Sequence, residues 1–171
     1  LRVIRVDKNG LPKEDSPFKT YNFQELIDTD EWEDSHPYLE IYNKRFLFVV
    51  FRELEPKKFV LDNIKFWGFP DCQLDEVQRV WQETRQILKD GVQLTPNGNR
   101  ISTNFPQSKI NQVLFTKIHA QNTLYELKPG EFVGKGKLSD TDVLPDGRHI
   151  TKHSFWMPKK FLKEVLEGKW D

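Results

Sequence analysis

One cysteine, one methionine and the lack of any long apolar run set the first limits on this 171-residue chain. A single thiol, Cys72, excludes an internal disulfide and is expected to be buried and kept reduced in a cytoplasm. No apolar stretch approaches the ~20 residues of a bilayer span, so no membrane segment is expected. Residue 1 is Leu, within an apolar-alternating run and with no charged-then-apolar leader. The expectation is a fragment of a longer polypeptide without a signal peptide. No Gly-rich phosphate loop, Cys-x-x-Cys pair or Ser-His-Asp order in a helpful context is present. Net charge is missing too: 26 basic residues balance 26 acidic ones. That sum argues weakly against a polyanion partner, but distribution matters more.

The chain is long enough for one domain with a real core. Hydrophobic residues make up 37% and aromatics 13%, which favours a folded protein over disorder. Between Glu14 and Glu40 there are nine acids and one base, Lys19; from Val143 to Lys163 there are five Lys or Arg and one acid, Asp146. Such polarity suits one face turned to a polyanion and another to solvent or a partner domain.

Leu1, Val3 and Val6 with interleaved arginines read as a short strand, closed by a turn at Asn9-Gly10 and Pro12. Residues 13–43 read as irregular, with a helical turn over 22–28 carried by Phe23, Leu26 and Ile27. Arg45 to Phe51 holds six apolar side chains in seven positions, so a central strand buried on both faces is expected. Phe59 to Leu61 and Ile64 to Phe69 are further apolar segments. Leu74, Val77, Trp81, Ile87 and Leu88 share a helical stripe, which predicts a helix over 72–90 capped by Asp71 and ended by Gly91. Residues 91–112 have loop composition, 113–119 read as a strand, 125–137 as an insertion or flap, and 148–155 as one strand. Pro158, Phe161, Leu162, Val165 and Gly168 mark a final helix. Trp32, Trp67, Trp81 and Trp156 are expected in the core.

The stretch Asp140 to Phe161 carries the chemistry. Pro145-Asp146-Gly147 is a turn, and beyond it come Arg148, His149, Thr151, Lys152 and His153, groups that suit phosphates and base edges. His149 and His153 on one strand would share a face about 13 Å apart, too far for a shared metal. Asp140, Asp142 and Asp146 lack the closing Glu of a calcium loop.

Asp140-Thr141, Leu144 to Arg148, Thr151-Lys152 and Phe155-Trp156 fit a D-T-x-x-L-P-D-G-R-x-x-T-K-x-x-F-W pattern. With Lys117-Ile118-His119-Ala120-Gln121-Asn122 upstream, this resembles the C-terminal signature of the MutH and GATC-specific type II restriction endonuclease family. Lys117 and Ile118 replace that family's Arg and Pro. Leu1-Arg2, Val6-Asp7, Gly10, Pro12, Trp32, Ser35-His36, Lys44-Arg45, Leu47 and Trp67 fit further segments.

The resemblance implies a mixed α/β, restriction-endonuclease-like PD-(D/E)xK fold: a central mixed sheet flanked by helices, with its N-terminal arm missing. Residues 1–171 would be a single MutH-like DNA-binding domain of a prokaryotic cytoplasmic protein. Lys117, His119, Asn122, Arg148, His149, Lys152 and Lys44 would line its DNA cleft. Lys117 and Lys152 would hold phosphates, and Arg148 or His149 would read base edges. Family members cut through a Mg²⁺ site of the Asp…Glu-x-Lys type. Arg2 falls at the Lys position and both carboxylates would precede residue 1, while a second family Lys falls near Tyr42. No cofactor is therefore expected in this chain, although Mg²⁺ is expected for the parent enzyme. Guanidinium is unsuited to moving a proton, so a degenerate, allosteric second domain is the expectation. Its partners would be duplex DNA, a catalytic N-terminal domain of the same polypeptide, and a second copy on DNA. Two alternatives stand: an active endonuclease with carboxylates upstream, and a protein-interaction module using the acidic belt.

Overall fold

The computed structural model describes residues 1–98 and 100–171; Asn99, within the expected 91–112 loop, lies outside them. In chain order the strands are β1 (Arg2–Val6), β2 (Ser16–Thr20), β3 (Arg45–Glu55) and β4 (Lys58–Gly68), then β5 (Leu94–Asn97), β6 (Arg100–Thr103), β7 (Phe115–Ile118) and β8 (Leu124–Lys128). β9 (Glu131–Gly134), β10 (Thr141–Val143), β11 (His149–Thr151) and β12 (His153–Met157) complete them. The helices are α1 (Phe23–Asp28), α2 (Leu74–Asp90) and α3 (Lys159–Leu166). The described residues are thus mixed α/β, with four small sheets among them in place of one central sheet: β1-β3-β4, β2-β12-β7, β10-β11-β8-β9 and β5-β6.

The core forms where apolar periodicities meet. β3 turns Phe46, Phe48 and Val50 inward, and Trp67 and Phe69 join them from the end of β4. α3 packs Phe161 against Trp67 and Phe69, with ring centroids 6.2 and 6.1 Å apart. α2 buries Val77, Val80, Trp81 and Leu88 on one stripe, near the face its sequence predicts. Gly91 ends it at φ +112°, a conformation open to glycine. Arg85 on α2 reaches back to α1, donating to the carbonyls of Leu26 and Ile27 at 2.9 Å each, so a side chain satisfies that helix's free C-terminal acceptors.

Several expectations need correction. β3 alternates between buried and half-buried residues, so one of its faces is covered and the other open. The two apolar segments after it are one eleven-residue strand, antiparallel to β3, with a bulge near Asp62. The 13–43 region contains β2, masked by Pro17; a sheet edge tolerates a residue that lacks a donor. The 91–112 region holds the β5–β6 hairpin. Asp71 does not cap α2. It opens a 3-10 turn and accepts a 2.8 Å hydrogen bond from the Tyr42 hydroxyl. Cys72, in that turn, is exposed.

The expected strand over 148–155 breaks at Lys152. β11 pairs with β10 and β8, whereas β12 leaves to pair with β2 and β7. His149 and His153 therefore belong to different sheets. His153 is buried, with its Nδ1 2.7 Å from the Thr151 carbonyl.

Candidate nucleic-acid interface

The signature motif, followed atom by atom, divides into residues that build the fold and residues left free. Asp142 accepts the Phe23 N–H at 2.7 Å and so anchors the start of α1. Thr141 Oγ1 donates to the Leu138 carbonyl at 2.7 Å and lies 3.1 Å from His149 Nδ1. Leu144 is buried, and Gly147 turns at φ +89° with its N–H on the Leu144 carbonyl. Thr151 Oγ1 donates to the Leu124 carbonyl and accepts the Leu124 N–H, stitching β11 to β8. Glu126 is buried and accepts the backbone N–H groups of Gly130 and His149, which hold its carboxyl below the usual range.

Arg148 belongs with the structural set. Its guanidinium donates to Asp146 Oδ2 at 2.8 Å and to the Val92 carbonyl at 2.7 Å, and only 18% of its side chain is exposed. Any base contact would first have to break these bonds. His149 is half-buried between Thr141 and the Phe132 ring. Neither residue is presented as a free reader of base edges.

The free residues gather where β7 gives way to β8. His119 N–H donates to the Lys152 carbonyl at 2.9 Å, which joins the two sheets at the strand break. His119 is exposed, with Nδ1 2.9 Å from the buried Ser154 Oγ and its ring 5.7 Å from Trp156. Lys117 is exposed, and its ammonium lies 4.8 Å from the Trp156 ring and 3.8 Å from Asp15. Trp156, expected in the core, is half-buried and serves as the platform under both groups. Lys152 Nζ donates to the Ser139 carbonyl at 3.1 Å. Asn122 is exposed on the same connection.

Two further lysines, absent from the sequence reading, join this ridge. Gly134 and Gly136 lie against the backbone of Thr123, and the Gly136 N–H donates to the Thr123 carbonyl at 2.8 Å. This contact brings the exposed Lys135 and Lys137 beside Asn122. The available signal was Gly-Lys-Gly-Lys itself, in which small residues permit close backbone approach and cations alternate with them. A Cβ on Gly134 would meet the Thr123 carbonyl oxygen at 2.0 Å, at φ +119°. Gly134→Ala is therefore expected to cost roughly 1–3 kcal/mol, seen as a lower urea midpoint; an unchanged midpoint would refute the contact.

Lys44 stands apart. It is exposed at the end of the π-helical turn Tyr38–Tyr42, near Glu40, and Glu40 pairs with Lys19 at 2.9 Å. An open groove of about 530 Å³, lined by Arg2, Pro17, Phe18, Lys19, Thr20 and His119, runs between Lys19 and the ridge.

Arg2 is half-buried. It donates to Ser16 Oγ at 2.9 Å and to the Pro17 carbonyl, and lies 4.5 Å from the centre of the Phe18 ring. Burial pulls its pKa down. Tyr42, where the resemblance put a second Lys, is pushed up to about 12 by desolvation and by its bond to Asp71, so it stays protonated. The nearest acids are already engaged: Glu14 with Arg5 at 2.5 Å, Asp15 with the Lys159 N–H at 3.0 Å. Among the described residues no three His, Cys, Asp or Glu side chains are grouped to hold a metal. These residues do not fit a Mg²⁺ centre of the Asp…Glu-x-Lys type.

The fold and surface together define a mixed α/β protein with a basic ridge at the junction of two sheets. No family model matches the chain. It is similar to the type II restriction enzyme Sau3AI of Staphylococcus aureus, with 28% identity across 98% of this chain and 38% of that enzyme. The resemblance read from the motifs thus extends over almost the whole chain, while the chain spans well under half of its relative. No described helix is long and apolar enough to cross a membrane.

Proposed function

We propose that residues 1–171 bind duplex DNA at a GATC-type site without cutting it. They act as the effector unit of a type II restriction endonuclease whose Mg²⁺-dependent cutting centre lies in an N-terminal domain of the same polypeptide. The observation that carries this is the similarity to a restriction enzyme along 98% of the chain, combined with a basic ridge that is exposed at Lys117, Lys135 and Lys137 and half-buried at Lys152. Lys117, Lys135, Lys137 and Lys152 are assigned to phosphates. Base edges fall to Asn122 and His119, because Arg148 and His149 are held within the fold. Asn suits the paired acceptor and donor of adenine in the major groove, a contact worth roughly 1–3 kcal/mol of discrimination.

The test is an anisotropy titration of labelled duplexes with and without the site, over a range of salt. Affinity should fall steeply as salt rises, and Lys152→Ala or Lys117→Ala should each lower the slope of log K against log salt by about 1 for all sequences. Asn122→Ala should leave that slope alone and reduce the preference for the site about 10-fold or more. Salt-insensitive binding would sink the DNA reading, and efficient Mg²⁺-dependent nicking by this chain extended by the native residues immediately upstream would sink the effector role.

A further inference from the structure

The β1-β3-β4 sheet is covered on one face only. On the other, three rows run across the ladder: Val3, Val49 and Ile64; Leu47 and Phe66; Phe51 and Leu61. The β3 members are half-buried, while Val3, Leu61, Ile64 and Phe66 are 59, 56, 57 and 70% exposed. With on the order of 200 Å² for a large side chain, these four leave about 500 Å² of contiguous apolar surface in water. Scattered apolar residues are ordinary on a surface; a patch of this size is near the largest that a typical monomer shows, and such patches are often functional.

We propose that this face is the interface of a two-fold homodimer, in which the open sheet of one chain packs on that of a second copy. Area is the first argument. A stable interface buries about 800 Å² on each partner, with about two-thirds of it apolar in homodimers, and the patch supplies that apolar share. Charge is the second. The groups framing the patch are of both signs and already paired: Arg5 with Glu14, Lys13 with Glu53, Lys58 with Glu55. A second copy therefore meets no block of like charge, and a strongly acidic or basic partner finds no field to favour it. Geometry is the third. Sheet faces stack about 10 Å apart with strands nearly aligned, and a two-fold axis through the Val49 row sets each apolar row against its own copy. The inner layer of Phe46, Phe48 and Val50 packs toward β2, with Phe18 and Phe46 rings 5.8 Å apart. That layer separates the open face from the β2-β12-β7 sheet, so the basic ridge stays free in the dimer. The dimer does not depend on the DNA reading.

Sedimentation of residues 1–171 from micromolar to sub-millimolar concentration tests this. The expected species has twice the 20.3 kDa mass of one chain. Phe66→Glu and Ile64→Glu should each weaken the dimer by about 100-fold, because each sets a carboxylate in an apolar interface. Both side chains are exposed in a single chain, so circular dichroism should not change. Leu138→Glu, exposed but outside the three rows, should leave the dimer intact. A monomer throughout the range overturns the proposal, even one that captures a different protein through this face. So does a dimer that survives both glutamates. DNA titrations of Phe66→Glu keep the readings apart, since loss of the dimer with retained DNA binding supports both.

Discussion

Between pH 6.5 and about 4 the fold is expected to lose on the order of 3 kcal/mol of stability through one side chain, His153. The imidazole is buried, its ring centre 5.1 Å from that of Phe105 and 5.9 Å from that of Phe23, with the Thr151 carbonyl as its polar partner. Desolvation disfavours its charged form and pulls the pKa from 6.5 to about 4. The sign follows from proton counting. Below pH 6.5 the unfolded chain binds a proton that the folded chain refuses, so the stability present above the unfolded pKa is lost as pH falls toward the folded one. His36, depressed by burial as well, pushes in the same direction. The carboxyls held low, such as Glu126 and Asp146, lose their contribution as pH falls through the ordinary carboxylate range and below it. Urea unfolding between pH 7 and 5 measures the slope, and the imidazole proton shifts of His153 report its titration directly. A ring that titrates near 6.5 in the folded chain would overturn this expectation.

Truncating Phe155 is expected to cost about 3–5 kcal/mol. Its ring is fully buried on β12, 4.8 Å from Tyr21 and 6.2 Å from His36, where β2, β12 and the segment after α1 meet. Phe155→Ala removes the ring from a site fixed on two sides by β-ladders, which leaves the surroundings little room to collapse. Phe66→Ala is the matched control, the same chemistry on an exposed site, and its cost in a single chain should stay below about 1 kcal/mol. Equal urea midpoints for the two variants would contradict this packing.

The legible parts of the fold were those with local causes. α2 showed its 3.6-residue stripe, α3 its Pro158 start and Gly168 end, and β3 its apolar run. Arg148 was the opposite case: an Arg after a Pro-Asp-Gly turn looks free, and its fate is decided by the Val92 carbonyl, 56 positions away. Nothing local betrays such a partner. The break at Lys152 was hidden for a related reason, since β-branched and aromatic residues run on through it and only pairing with two different sheets interrupts the strand. Cys72 was read as buried from its residue type, but burial depends on what the turn before α2 faces. The continuous apolarity of β3 pointed to burial on both faces, whereas residues 1–171 cover only one. Of the residues proposed for the ridge, the motif suggested Lys117, His119, Asn122 and Lys152, whereas Lys135 and Lys137 entered through the contact of Gly134 and Gly136 with Thr123.

The parallel pairing of β1 with β3 sets an order of events. Arg2 matches Phe48 and Val6 matches Arg52, so β1 has no ladder with β3 until β2, α1 and most of β3 have been made. Such non-local closure slows a search, because loop entropy is lost before contacts return it. The hairpin of β3 and β4 needs no such wait and can form by itself. The opening residues of this chain are therefore the last piece of their sheet to lock into place.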